Sequence, residues 1–286
     1  MKKKIAVLIL AHSNSEALTR TITLLSQNFD IFVQIDKKSK LNIDDLPKIT
    51  NCFYFKEITV FWGGYSQIEN MCFILREAFN PKYSHYVFIS GEDIPIKSNS
   101  YISSFFNENI KNSYMSARKF PVSSLGFNGG LDRVQRYWFM KINNRLIAKI
   151  VARLTLFVQK LFHIKVKTFK IDFYGGSNWI NISHEALQYV FNFLNENPSY
   201  MKKLKYSRAT DEVWIQSILM NSPLRDNIIL DDLRYTDWES GPEYPKTLTI
   251  QDYQKIIESN ALFARKVKKE NDNVLIEKIF KKIKNE

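Results

Sequence analysis

The sequence predicts an α/β fold: a mostly parallel sheet with helices on both faces. Three observations carry this. Ile5 to Ala11 is an unbroken apolar run, as expected of a strand buried on both sides. An amphipathic segment and a second apolar run, Phe29 to Ile35, follow at the spacing of a βαβ unit. A third run, Tyr86 to Ser90, again ends in a polar turn, Gly91-Glu92-Asp93.

The composition allows such a core. Of 286 residues, 45% are hydrophobic and 14% aromatic, which excludes a disordered chain. The net charge of +12 points to an anionic partner: a nucleotide, a phosphorylated lipid, a membrane surface or nucleic acid. Cys52 and Cys72 make no motif and fit a reducing compartment. His12, His85, His163 and His184 show no metal-ligand spacing. Met1-Lys2-Lys3-Lys4 imitates the start of a signal peptide. The apolar run behind it is short and lacks a cleavage site, so it reads as the first strand.

Taken in order, Ser13-Asn14-Ser15-Glu16 caps a helix to about Gln27, and the strand from Phe29 ends at Asp36-Lys37-Lys38. Ligands of such sheets bind beyond the carboxyl ends of the strands, which places Ala11-His12 beside Asp36-Lys37 at a nucleotide pocket. Asp36 reads equally as a base or ribose acceptor and as an ordinary loop acid. Cys52 to Phe55 is extended, and Gly63-Gly64 turns into a helix from Ser66 to Phe79. Glu92-Asp93 resembles a degenerate metal-nucleotide motif but is no D-x-D, so a turn and a substrate contact is the reading preferred for Asp93. Residues 111–120 contain a further strand. Leu125 to Gln135 reads as a glycine-bearing loop without the dinucleotide fingerprint.

Residues 141–167 form a basic amphipathic helix, or two, with Arg145, Lys149 and Arg153 at four-residue spacing. It reads as a core-packing helix with a solvated basic stripe, as an element lying on anionic lipid, or as a holder of an acceptor or partner chain. Tyr174-Gly175-Gly176-Ser177 is a tight turn where a ligand approaches backbone closely. Trp179 to Ile182 is a strand, and Ser183 caps the next helix. In Arg208 to Leu219, Thr210 is the expected N-cap, Asp211 and Glu212 lie in the first turn, and Val213, Ile215, Ile218 and Leu219 pack inward. A carboxylate there suits a general base, though two acids at a helix start are also commonplace. Ile228 to Tyr235 reads as a strand, Trp238 to Lys246 as a rigid aromatic loop, Ile250 to Ser259 as a helix, and the lysine-rich tail as an amphipathic cap.

Nine segments together resemble the core-2/I-branching β-1,6-N-acetylglucosaminyltransferases, a family that also holds the peptide O-xylosyltransferases (glycosyltransferase family 14). They are Leu8-Ile9-Leu10-Ala11-His12, Gln34-Ile35-Asp36-Lys37-Lys38, Phe61-Trp62-Gly63-Gly64-Tyr65-Ser66, Ser90 to Lys97, Gly175 to Trp179, Thr210-Asp211-Glu212, Leu233 to Trp238, Tyr244 to Ile250 and Leu262 to Lys266. The resemblance implies a GT-A-like single domain with a Rossmann-like sheet, a nucleotide-sugar donor, inversion at the anomeric carbon and catalysis without a metal. It implies Glu212 as the base. It further implies that Lys246 and Lys266 neutralise the leaving diphosphate, with Arg265 expected to compensate for the lysine at 246 where animal enzymes have arginine. It implies Asp36 near the uridine, and His12, at the neighbouring strand end, is expected to join the donor site. Tyr235, Trp238 and Tyr244 are expected to form an aromatic acceptor platform, joined by Asp93, Ser177 and Trp179.

The expected organisation is one domain, 1–286, with a nucleotide-binding half (1–120), a basic amphipathic insertion (121–170), an acceptor and catalytic half (171–270) and a helical tail (271–286). The expected reaction transfers a sugar, GlcNAc from UDP-GlcNAc first, to a glycan or lipid-linked saccharide; UDP-xylose and UDP-glucose remain open as donors. No cofactor and no nucleic-acid partner are expected. A cytoplasmic enzyme at the inner face of a bacterial membrane, touching anionic lipid through residues 141–167, is the expected setting, since no N-terminal anchor or disulfide framework is read. The competing class is a non-catalytic basic module for membrane or nucleic acid, against which the absence of a nucleic-acid motif counts.

Overall fold

The structure, a computed structural model, describes residues 3–13, 16–140, 142, 144–242, 245–268 and 273–284. The first apolar run forms β1 (Lys4–Ala11). Helix α1 (Glu16–Leu25) crosses over, and β2 (Asp30–Ile35) returns parallel, with Ala6 opposite Asp30 and Ala11 opposite Ile35. The expected cap at Asn14-Ser15 lies outside the described residues. β3 (Cys52–Phe55) extends the parallel set past β2. After α2 (Ser66–Ala78), β4 (Tyr83–Ser90) takes the other side of β1.

Strand alternation divides the core in two. Ile5, Val7, Ile9 and Ala11 face α1, while Ala6 and Leu8 face α2 and the later helices, so both faces of the sheet are covered.

The chain then passes through β5 (Ile94–Pro95), α3 (Asn99–Glu108), β6 (Ser113–Tyr114) and β7 (Arg118–Lys119). Leu125 to Gln135 is two short helices, α4 (Gly126–Gly129) and α5 (Leu131–Gln135), rather than a loop. Its glycines serve chain reversal: Gly130 has φ +95°, and a Cβ on Gly129 would sit 2.4 Å from Pro121 Cβ. The basic segment forms α6 (Arg145–Leu161), capped by Asn144. β8 (Tyr174–Gly175) pairs with β7, and β9 (Asn181–Ser183) enters the main sheet antiparallel to β4. Ser183 caps α7 (His184–Glu196) as expected, its Oγ accepting from the Ala186 N–H at 3.2 Å. Helix α8 (Pro198–Leu204) follows, then α9 (Trp214–Met220), in which every residue is buried.

The late strand is broken. β10 (Ile228–Ile229) pairs with β6, and β11 (Arg234–Thr236) leaves for a second sheet. The break falls where Asp231 and Asp232 accept from the Leu233 and Arg234 N–H groups and Leu233 takes φ +58°. After α10 (Tyr253–Glu258), β12 (Phe263–Arg265) pairs with β11 and β5. Helix α11 (Asn273–Lys284) covers this side with Leu275, Ile276, Ile279, Phe280 and Ile283. The main sheet thus runs β10-β6-β9-β4-β1-β2-β3, parallel over β4-β1-β2-β3.

Candidate active site

The acidic stretch does not form one capped helix. Thr210 to Glu212 is a single 3₁₀ turn, Val213 breaks it at φ −131°, and α9 starts at Trp214. The turn opens at Ala209, which has φ +46°, and the Thr210 hydroxyl is buried with no hydrogen-bond partner, so it is not the cap. Tertiary contacts hold the turn instead. The Ala209 N–H donates to Gly63 O at 2.7 Å, and the Gly176 N–H donates to Glu212 O at 2.9 Å. An L-residue at positive φ persists only where its surroundings over-determine it; the Gly63 bond is that constraint.

This clamp gives the two adjacent acids different environments. Asp211 points inward and is buried. Its Oδ2 accepts from Gln67 Nε2 at 2.8 Å and Asn178 Nδ2 at 3.4 Å, while Oδ1 has no partner. Burial, with the Glu212 charge beside it, pushes its carboxyl up to about 7. The Glu212 side chain is 44% exposed, and its Oε2 meets Arg133 Nη2 at 2.6 Å. Arg133 also donates to Ala209 O at 3.1 Å, so one guanidinium ties both ends of the turn.

The segment from Gly175 to Trp179 links the acids to the cations. The Ser177 N–H donates to Ser116 Oγ, its hydroxyl accepts from the Trp179 N–H, and its carbonyl accepts from Gln216 Nε2, so its polar groups build the turn. Gly175 and Gly176 have ordinary φ values. Their lack of a Cβ accommodates the Phe120 ring and the Ser116 carbonyl, where the sequence suggested approach to a ligand. The Trp179 ring lies 4.7 Å from the Arg265 guanidinium, and Arg265 Nε bonds Asp93 Oδ1 at 3.1 Å. Asp93 is fully buried and also accepts from the Ser90 backbone N–H and hydroxyl; its carboxylate anchors Arg265 and the β4 turn.

Lys246 lies on the segment next to Arg265-Lys266, joined by Leu248 N–H to Lys266 O at 2.9 Å. Its ammonium contacts Asp252 Oδ1 at 2.7 Å and Asp237 Oδ2 at 4.0 Å, and the hydrogen bond to Asp252 raises its pKa. The carboxyl ends of β1, β2 and β4 converge as expected: Asp36 N–H donates to Ala11 O at 2.9 Å and Gly91 N–H to Leu10 O at 3.0 Å. Asp36 Oδ1 accepts from the Lys38 and Val60 N–H groups, and His12 is exposed beside it. Tyr235 is half-buried against the small sheet, Trp238 is exposed, and Tyr244 lies outside the described residues. Among the described residues no three His, Cys, Asp or Glu side chains are gathered as a metal site needs. Two cavities, of about 520 and 580 Å³, lie away from these groups, between α1 and α11 and beside α6.

Three participants escaped the sequence reading: Arg133, the Gln67–Asp211–Asn178 contact, and Arg234. Arg234 is buried beneath the site, donating to Asn181 Oδ1 at 3.0 Å and to the Asp232 and Phe88 carbonyls. Burial lowers its guanidinium to about 10.

Comparison with known proteins supplies a family. The family model described as Core-2/I-Branching enzyme matches residues 5–257. The chain is 30% identical over 95 residues to Beta-glucuronosyltransferase GlcAT14A of Arabidopsis thaliana, covering 32% of this chain and 18% of that protein. It is 20% identical over 251 residues to Xylosyltransferase 1 of Homo sapiens, covering 82% of this chain and 24% of that protein. The chain thus spans a quarter or less of the length of these relatives.

Proposed function

This chain belongs to the Core-2/I-branching enzyme family, and on that premise we propose that it is an inverting glycosyltransferase that moves a sugar from a UDP-sugar to a saccharide acceptor. One observation carries the proposal: of two adjacent acids, the fold exposes Glu212 on a turn clamped at both ends and buries the other. A base needs that fixed, accessible carboxylate.

In this reading an acceptor hydroxyl gives its proton to Glu212 as its oxygen attacks the anomeric carbon. The bond from that carbon to the diphosphate oxygen breaks with its electron pair, and UDP leaves from the opposite face. Arg133 fixes Glu212 through Oε2. Lys246, Arg265 and Lys266, on two adjoining segments, stabilise the charge growing on the diphosphate; one such contact is worth about 2.7–4 kcal/mol in the transition state. Asp36 and His12, at the strand ends, hold the nucleoside. Support for a metal-independent reaction comes from these cations and from Asp93, whose carboxylate is engaged by Arg265.

UDP-GlcNAc is the first candidate donor. The names of the relatives put UDP-xylose and UDP-glucuronate in the same test, with UDP-glucose, GDP and CDP. A UDP-specific thermal shift that survives EDTA is expected; at about 100 times Kd it corresponds to roughly 2.7 kcal/mol. A shift that requires Mn²⁺ overturns the metal-free reading. Glu212→Gln is expected to lower transfer by about 10²–10⁴-fold while leaving that shift intact; retained transfer removes Glu212 as the base.

A further inference from the structure

Most of the net charge comes from one stretch. Residues 133–171 contain ten Lys and Arg and no Asp or Glu, so of the formal +12 only +2 belongs to the rest of the chain. Within that stretch, α6 buries Ala152 and Gln159, with Trp138 and Met140 packed beneath and Leu156 partly covered. The opposite side is bare: Leu146, Ile150, Leu154, Phe157 and Leu161 are 58–68% exposed. At 3.6 residues per turn these five fall within an arc of about 80°, and Lys149, Arg153 and Lys160 line one edge of it. Beside this ridge runs an apolar groove of about 580 Å³, lined by Leu154, Val158 and Ile164 and bordered by Tyr137, Phe139 and Tyr206.

An uncovered apolar ridge of this length marks a docking surface, and its charge selects the occupant. A second copy seated on the same face would press basic stripe against basic stripe. Lysine is depleted from protein interfaces, whereas a ridge of Leu, Ile and Phe with a Lys/Arg edge and flanking aromatics suits a bilayer with anionic headgroups. No helix among the described residues is long and apolar enough to cross a membrane.

We propose that α6 and its flanking segments are the surface by which this chain lies on an anionic bilayer. The same surface is tied to the acid turn. The Arg208 guanidinium lies 5.5 Å from the Trp138 ring centre, and Trp138 Nε1 donates to the carbonyl of Asp132, whose neighbour Arg133 holds Glu212. A Cβ built on Gly63 would lie 3.3 Å from Met140 Cε. If Glu212 is the base as proposed above, docking brings it to the headgroup layer, where a lipid-linked saccharide presents its hydroxyls.

The test is vesicle flotation of the full chain, with phosphatidylcholine alone and with roughly 30% phosphatidylglycerol added. Binding to the anionic vesicles is expected, at least ten-fold weaker to the neutral ones and weakened by salt. Lys149→Ala and Arg153→Ala are expected to cost about five-fold each. Leu154→Asp with Phe157→Asp should abolish binding, with an unchanged circular-dichroism melt because both side chains already meet solvent. Failure to float with anionic vesicles, or flotation indifferent to these substitutions, overturns the proposal. So does self-association in solution that Leu154→Asp removes, which would make a second copy the occupant. The assay needs neither nucleotide nor turnover, so its failure leaves the proposed reaction standing, and the reverse holds.

Discussion

Replacing Gly176 with alanine strikes the link that holds the acid turn. A Cβ at this position would stand 1.8 Å from the Ser116 carbonyl oxygen and 2.5 Å from its carbon. Ordinary contacts begin near 3.5 Å, so the two segments must part by about 1.7 Å. The obstacle is backbone and cannot rotate aside. The segment that yields carries the Gly176 N–H bond to Glu212 O and the Ser177 N–H bond to Ser116 Oγ. Overpacking of this kind costs about 3 kcal/mol, which lowers Tm by roughly 6–12 °C. With Glu212 as the base proposed above, displacing it by about 1 Å costs on the order of 10²-fold in turnover. The assay is UDP release from whichever UDP-sugar stabilises the chain, followed beside the melting curve. Gly126→Ala is the control, since its Cβ meets nothing within 4 Å and its φ is not positive; it should leave both readings unchanged. A Gly176→Ala protein with unaltered Tm and full turnover would refute the argument that this contact positions Glu212.

Two further predictions concern buried charge. Arg234→Met leaves Asn181 Oδ1 and the Asp232 and Phe88 carbonyls without their donor; stability should fall by about 3–5 kcal/mol, read as a Tm lower by roughly 6–20 °C. Asp211 gives a pH signature. Its carboxyl is raised from 3.8 to about 7, so between these values the folded protein binds more protons than the unfolded chain, and this group's contribution to stability falls as pH rises through that window. Asp211→Asn should remove that slope and raise the unfolding free energy at pH 8 by up to about 4 kcal/mol, read by denaturant titration; an unchanged profile would show that the native carboxyl is ionised throughout.

The sheet was legible because its signals are local. The apolar runs of β1, β2 and β4, and the acids and cations at their ends, lie in short stretches whose pattern decides their burial. The acid turn was not. Thr210-Asp211-Glu212 looks like a capped helix start, and nothing near it announces that bonds to Gly63, Gly176 and Arg133 will hold it as a separate turn. Asp93 shows the same limit: the turn expected past the strand end is there, and the partner that holds its carboxylate is Arg265, 172 residues away.

These long-range contacts also bear on the chemistry. Two adjacent carboxylates, both ionised and equally exposed, would repel each other and compete for one proton. Burial among Gln67 and Asn178 pushes the Asp211 carboxyl up to about 7, so near neutrality it is partly protonated and carries little charge beside Glu212. Arg133 meanwhile meets the exposed partner. Environments that separate two neighbouring acids are how proteins assign them different tasks. Here the Gly63 and Gly176 bonds hold the turn that leaves one side chain inside and the other out, as the proposed role of Glu212 requires. A Glu212 without that clamp would be an ordinary surface acid.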